Sequence, residues 1–151
     1  MYANTAGGEQ DGFTRYYQDK DTPPLYWQKS RIICSLGGAA AVDQKFGLFD
    51  PGCRQDLNQA FAQARNLIVD ICIHGFSLHG NGFNDSQQLA ARQETAIAAE
   101  IEMCYKKAKE ILALNRDFFQ QLAAALAEQR LISVTDIQAL REKCGIVPIA
   151  L

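Results

Sequence analysis

Along most of the chain, apolar residues recur at spacings of three and four, the period of one buried face of an α-helix. The first such stripe runs from Tyr26 to Phe46 through Ile32, Ile33, Leu36, Ala39 and Ala40. A second follows the Asp50-Pro51-Gly52 turn, with Leu57, Ala60, Phe61, Ala64, Leu67, Ile68 and Ile71 spaced over Arg54 to about His74. The longest covers Ser86 to Asn115 on Ile97, Ile101, Cys104, Tyr105, Ala108, Ile111 and Leu112, with Glu102 and Lys106 as an i, i+4 pair on the wet side. Arg116 to Gln129 repeats the pattern on Phe118, Phe119, Leu122 and Leu126, and is expected to lie antiparallel to the long helix. Ser133 three residues before Asp136 has the form of a capping box opening a short last helix, which Gly145 and Pro148 close. Only Gly12 to Gln18, with Phe13, Thr14, Tyr16 and Tyr17, leans towards a strand. The expected fold is mainly α, a helical domain of about five helices with one short N-terminal strand.

Around these elements lie the punctuators. Residues 1–11 are polar, Gly-containing and unpatterned, and read as a poorly ordered terminus. Asp19 to Pro24 and the FSLHGNGFNDS stretch read as surface loops. The domain itself is expected over 12–145, with 146–151 as a tail. Gly37 and Gly38 fall inside the first helix, where each costs about 1 kcal/mol against Ala, so a packing reason such as a close backbone approach is expected.

Composition narrows the function classes. With 151 residues, 48% of them hydrophobic, the chain can bury a core of its own. A net charge of −2 and a pI near 5.6 leave no basic footprint, so nucleic acid is not an expected partner. Five cysteines without a C-x-x-C pair argue against a disulfide framework or a zinc ribbon and suit a cytoplasmic protein. No apolar run reaches the eighteen or so residues of a membrane span, and the first ten residues lack the regions of a signal peptide.

Candidate chemistry is sparse. Asp56 sits in the first turn of the second helix, where it either complements the helix end or ligates a metal; one carboxylate does not decide between these. Cys72, His74 and His79 lie close in sequence, but His-x4-His across a glycine is not a helical i, i+4 pair, and a surface or capping role suits them better.

The order of motifs adds a resemblance. Gly52, Asp56, Ala60, Ala64 and Arg65 resemble the motif in FtsH-type ATP-dependent zinc metalloproteases where a turn ending in Gly leads to an Asp and a helix. Gly12 to Thr14 (GFT) is similar to that family's G-[YF]-T strand, and Cys34 to Gly47 to its LLGGRAAE…FG helix. Glu100 to Leu140 is similar to its IxxAYxxAKxIL-x-NR and following series. The likeness covers nearly everything after the first ten residues and corresponds to the C-terminal part of the family's peptidase domain. It implies that Asp56 is the third zinc ligand. It also implies that the strand edge at Gly12, Phe13 and Thr14 pairs with a protein or peptide substrate, and that a homo-oligomer forms as in the family. Membrane anchoring in that family comes from segments far upstream.

The departures are as informative. This chain has no HExxH, which in the family supplies the first two ligands and the general base, and no P-loop. Ala39 and Val42 stand where GGRAAE carries its charges. No catalytic residue is therefore assigned, and no stoichiometric zinc is expected on the chain alone. Two classes remain. One is the C-terminal region of a zinc endopeptidase whose HExxH segment lies upstream. The other is a degenerate relative that keeps the fold as an interaction or assembly module.

Overall fold

A computed structural model describes residues 2–3, 12–13, 24–80 and 86–149. Those residues are mainly helical, with five α-helices: α1 (Pro24–Phe46), α2 (Arg54–Arg65), α3 (Gln87–Leu114), α4 (Arg116–Gln129) and α5 (Val134–Cys144). The chain divides into two compact units, Thr22–Glu110 on one side and Met1–Asp21 with Ile111–Ala150 on the other.

In the Thr22–Glu110 unit, α1 packs on α2. The stripe on α1 turns inward as its spacing requires, with Ile32, Leu36, Ala39 and Ala40 buried; Ala60, Ala64, Leu67 and Ile68 answer it from the second helix. α1 stops where Gly47, at φ +66°, adopts the left-handed conformation and its N–H donates to the Asp43 carbonyl, 2.8 Å away. Of the two interior glycines, Gly37 has no neighbour within 4 Å of where a Cβ would stand, so the expected close approach is absent there. At Gly38 a Cβ would make only ordinary contact, at 4.0 Å from Asp56 Oδ2 and Cys53 Sγ.

The second helix is irregular at its end. After Arg65 it widens into a π-turn over Asn66–Asp70, and the Ile71 N–H donates to the carbonyl of Asn66 five residues back. Consecutive Leu67, Ile68 and Val69 are all buried there, which steps of about 100° on a regular helix would spread round the axis. Cys72 ends the turn at φ +59°. His79 Nδ1 lies 2.9 Å from the Val69 carbonyl, so this imidazole caps the widened turn. Phe61 and Ile71, which the periodicity places on the buried stripe, are about half exposed, because the helix buries the narrower Ala60–Ala64 line.

Within the same unit α3 buries Ile97, Ile101, Cys104 and Ala108. Two polar residues are buried with them. Gln93 donates from Nε2 to the Leu78 carbonyl at 2.8 Å, and Glu100, only 1% exposed, places Oε1 at 2.9 Å from Lys29 Nζ of α1. His74 Nε2 stands 3.4 Å from Oε2, which has no hydrogen-bond partner. Nearer the end of the helix, Asp43 Oδ2 accepts from Tyr105 Oη at 2.7 Å and from Lys109 Nζ at 2.8 Å.

The unit of Ile111–Ala150 is held differently. A single residue, Asn115, joins α3 to α4, and its N–H and carbonyl continue helix-type bonding to Ile111 and Phe119. Within this unit α4 packs on α5. Phe118, Phe119, Leu122 and Leu126 are half-buried rather than core. The capping box forms as expected: Ser133 Oγ accepts from the Asp136 N–H at 3.2 Å, while Asp136 Oδ2 accepts from the Ser133 N–H at 2.9 Å. Asp136 is held below the usual carboxylate range by those Ser133 bonds. Gly145, at φ +67°, ends the helix.

The strand expected over Gly12 to Gln18 is not supported. Gly12–Phe13 pairs antiparallel with Tyr2–Ala3 over two residues each, too short to build a sheet, and 14–18 lie outside the described residues. So does most of the terminus expected to be unordered.

Two stability outcomes follow from this packing. Gly37→Ala, which adds a methyl into open space on a regular helix, raises stability by about 0.5–1 kcal/mol in urea unfolding; a loss would reveal a contact that the geometry excludes. Lys29→Met strands the buried Glu100 charge and costs about 3 kcal/mol, while the double variant Lys29→Met/Glu100→Leu costs less than Lys29→Met alone. Additive losses would show that the two side chains do not act as a pair.

Candidate functional site

The turn ahead of α2 is built to present its first residues. Asp50 Oδ1 accepts the Gly52 N–H at 2.7 Å, and the Cys53 N–H donates to the Asp50 carbonyl at 3.1 Å, closing a single 3-10 turn over Pro51–Cys53. A Cβ at 52 would stand 2.8 Å from the capping oxygen, so a side chain there would displace the Asp50 carboxylate from its cap. α2 starts directly afterwards, and Asp56 falls in its first turn. The carboxylate is exposed, and among the described residues nothing hydrogen-bonds or ion-pairs with it.

Its one close functional neighbour is Cys53. Both side chains face Gly38 of α1, and the Cys53 thiol is pushed up by partial burial first, then by the negative charges of Asp50 and Asp56. The shift disfavours the thiolate, the form that ligates metal. One carboxylate and one thiol fall short of the three protein ligands that zinc takes, with a water, in catalytic sites. Among the described residues no group of three His, Cys, Asp or Glu side chains could hold a metal ion.

Of the other residues singled out from sequence, Gly12 and Phe13 belong to the other unit, with one edge of their backbone taken by Tyr2–Ala3, and Thr14 lies outside the described residues. His79 caps the π-turn, and His74 faces Glu100.

Two polar clusters were missed by sequence reasoning. Glu100 lies between Ile97 and Cys104 on the apolar stripe, and that misplaced charge was the available signal. Burial, with the neighbouring Glu100 charge as the next cause, pushes the Cys104 thiol up to about 11. Asp43 is the second: the Lys109 ammonium, then the Tyr105 hydroxyl, hold its carboxyl below the usual range. Tyr105 is in turn pushed up to about 12, by burial first and then by Asp43. Only tertiary folding joins residues 62 and 66 positions apart, so nothing local signalled that cluster.

No protein-family model matches the chain. Curated proteins do. It is 28% identical over 143 residues to the ATP-dependent zinc metalloprotease FtsH of Bacillus subtilis, a match covering 83% of this chain and 22% of that protein. It is 29% identical to FtsH 2 of Thermoanaerobacter over 76% of this chain and 22% of the relative, and 28% identical to FtsH of Corynebacterium glutamicum over 74% and 15%. These matches support a relationship to the FtsH zinc metalloproteases. The chain spans about a fifth of the length of the FtsH relatives it matches. Among the described residues no helix is long and apolar enough to cross a membrane.

The Asp43 cluster sets a pH dependence. A carboxyl whose folded value is lowered contributes stability above its unfolded value and loses it as the pH falls through the folded one. In urea unfolding the advantage of the wild type over Asp43→Asn is therefore largest above about pH 4 and shrinks below it. An advantage that grows on acidification would contradict the pairing.

Proposed function

We propose that this chain is the C-terminal helical region of an FtsH-like zinc metalloendopeptidase, contributing Asp56 as one metal ligand and inactive alone. The observation that carries the reading is the placement of Asp56. A turn capped by Asp50 leads into α2, and Asp56 stands exposed in the first turn, with no hydrogen bond or ion pair among the described residues. The FtsH relatives, named as zinc metalloproteases, support the class. Protein or peptide substrates, and a homo-oligomer, follow for the whole enzyme. Gly12, Phe13 and Thr14 remain the proposed substrate-pairing edge.

A second reading has its own observation. Ala39 stands where the family's GGRAAE motif has Arg, and it is buried at 1% exposure in the α1 core. A guanidinium does not fit there, which favours a repacked, non-catalytic domain serving in assembly.

Metal analysis and reconstitution separate the two. The chain alone carries no stoichiometric zinc and does not cleave casein. Joined to an HExxH-bearing segment from an FtsH relative, it binds about one zinc per chain and gains cleavage, and Asp56→Ala removes both. Zinc on the isolated chain that is lost on Asp56→Ala would mean that other side chains complete the site. Cleavage that survives Asp56→Ala would reject the ligand assignment. Failure of every such fusion to bind zinc would favour the assembly reading.

A further inference from the structure

The buried carboxylate of Glu100 has one oxygen that the fold leaves unused. Oε1 takes the Lys29 ammonium at 2.9 Å, whereas Oε2 is buried without a hydrogen-bond partner and has His74 Nε2 at 3.4 Å. An acceptor left unpaired in the interior is costly, so a group that can be switched to donate to it carries weight. His74 is half exposed and therefore open to protons from solvent. It lies in the stretch between the π-turn and Leu78, where the chain buries little of itself. Cys72 and Gly75 stand at φ +59° and +91°, Ile71 is half exposed, and Phe76 is 87% exposed. The stretch is pinned at its two ends, by the Ile71 N–H on the Asn66 carbonyl and by Gln93 Nε2 on the Leu78 carbonyl.

We propose that His74 and Glu100 form a proton-operated latch, which fastens the 71–78 stretch to α3 when the imidazole gains its second proton. A neutral imidazole carries one N–H, and its tautomer decides whether Nε2 meets Oε2 as a donor or as a lone pair. An imidazolium carries both N–H groups, so Nε2 always donates. The added charge acts on a carboxylate only 1% exposed, where water screens it poorly. The neighbouring titratable groups leave this task to His74. Lys29 faces Glu100 from α1 and is spent on Oε1. Cys104 Sγ, on α3, lies 3.9 Å from Oε1, and burial, ahead of the Glu100 charge, pushes its thiol up to about 11, so it stays neutral around pH 7. On the stretch itself and at its ends, Cys72 Sγ turns to the Val69 carbonyl, Asp70 Oδ2 accepts from Asn66 Nδ2, and His79 Nδ1 lies against the Val69 carbonyl. A positive charge gained on acidification finds its partner only in the closed form. Closure therefore strengthens as the pH falls through the imidazole range, about 6.5, and is lost as it rises, the opposite sign to the Asp43 cluster. A proton taken by Glu100 instead would release Lys29 and loosen the stretch.

Amide hydrogen exchange of the full chain at about pH 5.5 and about pH 8 tests this, both values lying above the usual carboxylate range and on either side of the imidazole one. Each rate is divided by the intrinsic rate at its pH. The amides of Ile71, Ile73 and Gly75, which donate to the carbonyls of Asn66, Leu67 and Cys72, report closure. Their protection is expected to be about fivefold higher at the lower pH, with the amides of α5 unchanged. His74→Gln, at a half-exposed side chain, removes the rise, and Glu100→Gln removes it as well. Equal protection at the two pH values, or a rise shared by α5, overturns the latch. A fall on acidification places the proton on Glu100 and overturns it too. A rise that survives His74→Gln belongs to His79, and one that survives Glu100→Gln has another partner; either result rejects the pairing.

Discussion

A charged carboxylate buried at 1% exposure dominates the architecture of the Thr22–Glu110 unit. Moving a lone charge from water into a protein interior costs several kcal/mol even after relaxation, so Glu100 is tolerable only with a cation against it. Lys29 supplies that cation from α1, and the requirement fixes where α1 crosses α3. The oxygen left unpaired faces His74, just beyond the π-turn, so the end of the second helix is drawn to the same point. Apolar stripes slide on one another at little cost. A buried ion pair does not, and the register of the helices in this unit is set by it, with Asp43, Tyr105 and Lys109 as a second fixed point further along the same two helices.

That division between stripes and pins also explains what could be read from the chain. Helix positions were legible because they depend on spacing that survives in one dimension: α4 begins and ends where its periodicity does, and Ser133 and Asp136 declare the start of α5. Which side chains are buried was less legible. Phe61 fits the stripe by spacing and is half exposed, while Gln93 and Glu100 are polar and buried. The error has one cause. A periodic pattern marks a face but does not say how wide a strip of it is covered, and the Ala60–Ala64 line shows that α1 lies close and narrow on the second helix.

The candidate site was legible in a different way. No physical rule applied to one carboxylate in a first turn distinguishes a helix-end charge from a ligand, and Asp56 stood out through its order among other motifs. The structure adds the turn: Pro51 and Gly52 sit on the Asp50 cap, where a side chain at 52 would press on the capping oxygen, and the carboxylate that follows is left exposed. Such a turn contributes little to the hydrophobic core, as all three of its residues lie outside it.

The two ends of the second helix therefore answer to different demands. At its start, a rigid turn controls where Asp56 emerges and leaves the side chain unspent. At its end, the backbone yields: it widens by a residue, passes through Cys72 in a left-handed conformation and is capped by His79, because burying Leu67, Ile68 and Val69 outweighs regular bonding. Strain is accepted where packing gains from it and avoided where a side chain must be aimed. Regular bonding is kept where the turn meets the first residues of the helix, and given up only where three consecutive apolar side chains gain burial.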